Sequence, residues 1–277
     1  MRDAPFELIC EIEPATTPDL TRVRHQIGVL SPVATTFLIP DNHIGRATVS
    51  SVAVAHEVQQ MGGRSIACLN ARDRNLLGFR RDLLTAAAYG VDQFLFVYGD
   101  EPLAGARTSE LNVRTMLTEG RDYADALDGS GHGSRPSSGR HASGRHAGRS
   151  SMRFGATSGL RPLPAWKQAA DFLCVQVGFS LDDLLAWRSS VAVDVPVYAG
   201  VIVIASARMA KTFTIPGLTV PPDLVARLEK DRNAGVDAAC DLVVGIRDSG
   251  AFDGVHLIPV ARYREVAARL ERDLAGR

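Results

Sequence analysis

The sequence predicts an α/β fold, a single-domain (βα)8 barrel over residues 1–277, on three observations. Eight short apolar runs recur along the chain, separated by segments of helical period. Those runs are apolar almost throughout rather than alternating, as parallel strands covered on both faces must be. Setting aside a Gly/Ser/Arg/His-rich stretch at 128–151 leaves 253 residues, about 32 for each strand–helix unit and close to the usual size of such a barrel. An open doubly wound sheet is the alternative, but no G-x-G-x-x-G follows any strand to hold a dinucleotide.

The strands are expected at 6–12, 33–39, 64–69, 93–98, 152–157, 172–178, 195–204 and 254–259. Helices are expected at 18–30, 49–61, 74–89, 108–127, 181–191, 221–243 and 261–274. In the second of these, Val52, Ala55, Val58 and Met61 recur at helical spacing. Residues 128–151 have too little apolar surface to bury and read as a flexible insertion. Their near-repeat, Gly139-Arg140-His141-Ala142 and Gly144-Arg145-His146-Ala147, suggests metal or phosphate binding, but nothing rigid would hold ligands there, so no metal site is assigned. Residues 212–222, with three prolines, interrupt the seventh unit and are expected to form a rim or lid over the barrel mouth.

Composition narrows the function. The 31 basic and 31 acidic side chains give a formal net charge of zero, which argues against nucleic-acid and membrane-surface partners. The longest charge-free apolar stretch, 195–207, is shorter than the roughly 20 residues that span a bilayer. The first residues lack the apolar run of a signal peptide, so a cytoplasmic protein is expected. A homo-oligomer is compatible with all of this. Cys10, Cys68, Cys174 and Cys240 form no C-x-x-C pair and read as packing residues. His56-Glu57 lacks the second histidine of H-E-x-x-H, and there is no P-loop and no G-x-S-x-G.

In a (βα)8 barrel the chemistry lies where the strands end. Strand 1 ends in Cys10-Glu11-Ile12-Glu13-Pro14, and glutamates two apart on a strand share a face. A carboxyl group in an apolar pocket keeps its proton to higher pH and suits general-acid work; a solvent-facing pair is the competing reading. Strand 4 ends in Tyr98-Gly99-Asp100-Glu101-Pro102, where Asp100 either accepts N–H groups of a heterocycle or makes an ordinary turn. Gln176 interrupts an apolar strand 6 and needs a partner, either a ligand or a neighbouring strand end. Arg262, after strand 8, either binds a carboxylate bidentately or faces solvent. His256 reads as a satisfied strand histidine. Asp41-Asn42, after strand 2, reads as a turn before it reads as a ligand contact.

Together, Cys10-Glu11-Ile12-Glu13-Pro14, Tyr98-Gly99-Asp100-Glu101-Pro102, Gln176 before Phe179, and Ala261-Arg262 resemble the methylenetetrahydrofolate reductase family. The likeness follows that family's order of strand ends from residue 6 to about 270, through short motifs. It implies reduction of 5,10-methylenetetrahydrofolate to 5-methyltetrahydrofolate, with Glu11 as general acid toward N10. Asp100 would pair with the pterin and favour the developing iminium cation. Gln176 would serve both folate and nicotinamide, and Arg262 would hold the folate. Glu13 stands where the family usually has an aromatic residue, and is expected to influence Glu11.

The departures concern the cofactor. Tyr98 replaces the family's arginine before Gly-Asp, the strand-3 histidine is missing, and Thr157-Ser158-Gly159 replaces a Tyr-Pro-Glu segment. FAD is therefore not favoured. The resemblance instead implies a flavin-independent branch in which NADH or NADPH enters as co-substrate beside Gln176, Lys167, Tyr98 and Thr157, and passes hydride directly. A related barrel reductase using a deazaflavin or another pterin, and a catalytically silent pterin-binding subunit, are the competing readings.

Overall fold

In a computed structural model, which describes residues 5–130, 152–215 and 217–275, eight parallel strands close into a barrel in sequential order. They are β1 (Glu7–Glu11), β2 (Thr36–Ile39), β3 (Arg64–Asn70), β4 (Gln93–Val97), β5 (Arg153–Ser158), β6 (Phe172–Val177), β7 (Val197–Ile202) and β8 (Gly254–Ile258). Closure by β1 against β8, with Ile9 opposite His256, removes both sheet edges.

Outside the barrel run α1 (Thr21–Leu30), α2 (Ser51–Gln60), α3 (Leu76–Tyr89), α4 (Val113–Ser130), α5 (Leu181–Ser190), α6 (Ala207–Thr212), α7 (Pro222–Lys230), α8 (Ala234–Ser249) and α9 (Tyr263–Ala275). Their apolar stripes cover the outer strand face. Val23, Ile27 and Leu30 of α1 are fully buried, and Phe79 of α3 meets Phe96 of β4 edge-on at 5.4 Å. Phe96 in turn stacks on Phe154 at 5.2 Å. No helix among the described residues is long and apolar enough to cross a membrane.

Alternation along the strands sends the other face inward, where Ile9, Leu38, Ile66, Leu95 and Phe172 pack as one cluster with Cys68, Cys174 and Tyr198. The barrel is thus a packed core rather than a channel. At its floor the Glu7 carboxylate accepts hydrogen bonds from Thr36 Oγ1 at 2.6 Å, Arg64 at 2.7 Å and the Tyr198 hydroxyl at 2.8 Å. Gly155 makes room for Phe172, since a Cβ there would lie 2.2 Å from the ring.

Two expectations change, at 221–243 and at the end of the fourth helix. Residues 221–243 form two helices, because the Asp231 carboxylate accepts the Asn233 N–H at 2.8 Å and turns the chain between them. Between β5 and β6 there is only a 3-10 turn, Ala165–Ala169, behind two closely spaced prolines, Pro162 and Pro164. Helix α4 runs to Ser130, into the expected insertion; residues 131–151, with their His/Arg near-repeat, lie outside the described residues.

Candidate active site

The C-terminal ends of the strands surround a cavity of about 460 Å3. Carboxylates from three strand exits line it, Glu11, Asp41 and Asp100, together with His43, His256 and Gln176, and with no lysine or arginine among the described residues.

Glu11 is the last residue of β1. Because Ile9 lies opposite His256 across the β1–β8 ladder, Glu11 stands diagonally above the histidine on the inner face. Its Oε2 is 3.2 Å from His256 Nε2, with side-chain exposures of 14% and 10%. The distance is that of an ion pair, yet the N–H direction does not complete a hydrogen bond, and Nε2 is buried without a hydrogen-bond partner among the described residues. Reading His256 as a satisfied strand histidine is therefore corrected. It is the residue that sequence reasoning passed over, although its spacing from the end of β8 puts it in phase with the mouth-facing side chains.

Glu13 does not join Glu11. The strand stops at Glu11, so the two-residue alternation stops with it. The Glu13 carboxylate instead pairs with Arg22 of α1 at 2.5 Å, and its backbone N–H donates to Gln26 at 3.0 Å.

Asp100 follows Gly99, whose φ of +95° suits glycine at this turn. Its Oδ2 accepts the Ile44 N–H at 2.8 Å. The bond ties the β4 exit to the β2 exit loop, where Asn42 and Ile44 both have positive φ. Asp41 is held by structure: it is buried, accepts the Asn70 N–H at 2.9 Å and Asn70 Nδ2 at 2.8 Å, and forms an ion pair with Arg74. Arg74 also reaches Asp82 at 2.8 Å. The charge of Asp41 is thus compensated within the wall, leaving Glu11 and Asp100 as the mouth's acidic groups.

Gln176 is the exposed residue of β6. The β6–β7 register shifts between Cys174 and Val177, and such an irregularity re-aims a side chain. Gly200 of β7 permits it, since a Cβ there would lie 2.3 Å from the Val175 carbonyl oxygen. Gln176 opens onto both the mouth and a second cavity of about 450 Å3 that contains Lys167. Tyr98 and Thr157 face the mouth and a smaller pocket, of about 280 Å3, that also contains Lys167. The Tyr98 ring is half exposed and lies over the Arg72 guanidinium at 4.9 Å. Lys167 lies over the Trp166 ring at 5.4 Å, and burial lowers its pKa. The structure thus brings Glu11, Asp100, Gln176, Tyr98 and Thr157 to one mouth and Lys167 to its annexe.

Arg262 is elsewhere. Its guanidinium donates to Glu265 at 2.9 Å, to the Arg232 carbonyl at 2.9 Å and to Asn233 Oδ1 at 2.5 Å, joining α9 to the α7–α8 turn. It is buried and absent from the mouth lining. The expectation that it meets a ligand carboxylate is corrected: its fork is already filled by protein acceptors.

Two thiols line the mouth, Cys68 and Cys174. Burial, then the Glu11 charge, pushes the pKa of Cys174 up to about 12 and that of Cys68 well above the ordinary value. Neither supplies a thiolate near neutrality.

No family model matches the chain, and no curated protein matches it in sequence. Solved structures do match its fold. One is an uncharacterized protein from Clostridium thermocellum that binds two copies of 5-methyl-5,6,7,8-tetrahydrofolic acid. It has a TM-score of 0.64 and 11% identity, over 99% of this chain and 96% of that one. Another is the EDTA monooxygenase EmoA from Chelativorans sp. BNC1, with a TM-score of 0.52 and 7% identity, over 98% and 94% of the two chains. At these identities the likeness is one of fold.

Proposed function

We propose that this barrel reduces 5,10-methylenetetrahydrofolate to 5-methyltetrahydrofolate, with NADH or NADPH as hydride donor. The observation that carries the proposal is the Glu11–His256 contact in a mouth lined by carboxylates and, among the described residues, by no lysine or arginine. With Asp41 compensated by Arg74 and Glu11 bearing the proton to be delivered, Asp100 is the charge that favours a cation, and the reaction passes through one. The resemblance of the strand exits supports the substrate, as does the folate ligand of the Clostridium barrel.

In this reading Glu11 enters protonated and gives its proton to N10. The bond between N10 and the methylene carbon breaks, and the electron pair stays on N10. The iminium left at N5 is stabilised by Asp100, which the Ile44 N–H holds in place. Hydride from the dihydronicotinamide adds to the methylene carbon, giving the N5-methyl product and the oxidised nicotinamide. Gln176 has no side-chain partner among the described residues and stands between the two cavities, where its amide can orient both rings. His256, at 3.2 Å, is placed to return a proton to Glu11 for the next turnover.

A resident flavin fits these residues poorly. The residues that accompany a flavin in the resembled family are replaced here by Tyr98 and Thr157-Ser158-Gly159, and the Tyr98 ring lies against the Arg72 guanidinium at 4.9 Å. Transfer is accordingly direct, within a ternary complex. Initial-rate kinetics and the absorption spectrum of the purified protein test this. A colourless protein with intersecting double-reciprocal lines is expected; a stoichiometric flavin with parallel lines would overturn it.

A further inference from the structure

Arg262 is committed to protein acceptors, so the acidic part of any ligand in the mouth needs another receiver. The second cavity, about 450 Å3, meets the mouth at Ser158, Gly159 and Gln176. Among the described residues its lining contains two cations, Arg161 and Lys167, and no carboxylate. The contrast with the acidic mouth is complete across a shared wall.

Neither Arg161 nor Lys167 has an ion-pair partner among the described residues, whereas arginines elsewhere in the barrel such as Arg22, Arg64 and Arg269 do. The backbone of Arg161 is fixed, while the residue stays exposed. The Trp187 indole N–H donates to its carbonyl at 2.9 Å. Its Nη2 lies 3.9 Å from where a Cβ on Gly217 would stand, at a residue with φ +78°. That places the guanidinium beside the turn expected to form the rim. Lys167 is partly buried with an aromatic ring and no counter-ion beside it, a charge that an arriving anion would compensate.

We infer that Arg161 and Lys167 form an anion-binding annexe that takes the acidic end of a ligand whose ring occupies the mouth. This deepens the functional reading and rests on it for the ligand's identity. Two chemistries qualify: the glutamyl carboxylates of a folate and the diphosphate of a nicotinamide dinucleotide.

The test is isothermal titration of the full-length wild type and of the Arg161→Ala/Lys167→Ala double variant. The titrants are 5-methyltetrahydrofolate, its triglutamate form and NADH. Neither side chain makes an ion pair among the described residues, so the variant should keep the wild-type thermal midpoint. Affinity for one class of ligand should fall about tenfold, the scale of a charge-assisted hydrogen bond, and wild-type binding should weaken with added salt. Loss confined to the folates, larger for the triglutamate, assigns the annexe to the folate tail. Loss confined to NADH assigns it to the diphosphate. Unchanged affinity for all three overturns the inference while leaving the functional reading intact. If the wild type binds none of the three, the functional reading fails, and inorganic pyrophosphate then decides the annexe alone. Binding that the double variant loses sustains it, and no binding by the wild type ends it.

Discussion

His256 Nε2 stands 3.2 Å from Glu11 Oε2, joining the last strand of the barrel to the first at the base of the mouth. The contact arises from register, because the β1–β8 ladder that closes the barrel sets the two side chains diagonally on one inner face. Closing the fold therefore also brings Glu11 and His256 together.

If His256 restores the proton to Glu11, His256→Leu should lower kcat by about tenfold and leave KM for methylenetetrahydrofolate within about threefold. Steady-state kinetics check this. An unchanged kcat would reduce the histidine to a wall of the cavity.

The barrel floor carries stability rather than chemistry. Glu7→Ala leaves the Thr36 and Tyr198 hydroxyls and Arg64 without their acceptor. Urea denaturation should show a loss of about 2–3 kcal/mol, the cost of stranding the two buried hydroxyls, with kcat of the folded fraction retained.

Gly200→Ala should disturb both stability and site. The added Cβ would meet the Val175 carbonyl at 2.3 Å and the Val177 nitrogen at 2.7 Å, so β6 must shift where it presents Gln176. A loss of about 2 kcal/mol is expected, with weaker folate binding by the fraction that still folds. Titration and melting measure the two effects on one sample.

Stability should fall at alkaline pH. Burial pushes the pKa values of Cys10, Cys174 and Cys240 up to about 12 and that of Cys68 well above its ordinary value. The Tyr198 hydroxyl is likewise raised by burial and by Glu7. Cysteines of the unfolded chain ionise from about pH 8.5, while the folded thiols stay neutral. Their contribution is thus complete below about pH 8.5 and is lost progressively as pH rises toward about 12. Urea midpoints at about pH 7.5 and about pH 10 should differ, and Cys174→Ala should narrow the gap. Equal midpoints would contradict the assignment.

The barrel was legible because its eight strands are near-continuous apolar runs, a pattern that burial on both faces requires. The mouth was legible at Glu11, Asp100 and Gln176, where polar groups interrupt or end those runs. Other features depend on distant partners. Glu13 meets Arg22 only because β1 has already ended. Arg262 meets Asn233 across a helix–helix turn set by the Asp231 carboxylate. His256 meets Glu11 only through their diagonal relation across the ladder, and Arg161 lines a second cavity with no carboxylate among its described residues. Spacing along one strand cannot encode either relation.

The central claim is that Glu11 donates the proton that opens the folate's five-membered ring. Methylenetetrahydrofolate-dependent oxidation of NADH or NADPH by purified wild type and Glu11→Gln tests it most directly. The account predicts turnover by the wild type and a loss of at least about a hundredfold in the variant, with 5-methyltetrahydrofolate still bound. Equal rates in the two proteins, or no turnover by the wild type with either nucleotide, would contradict it.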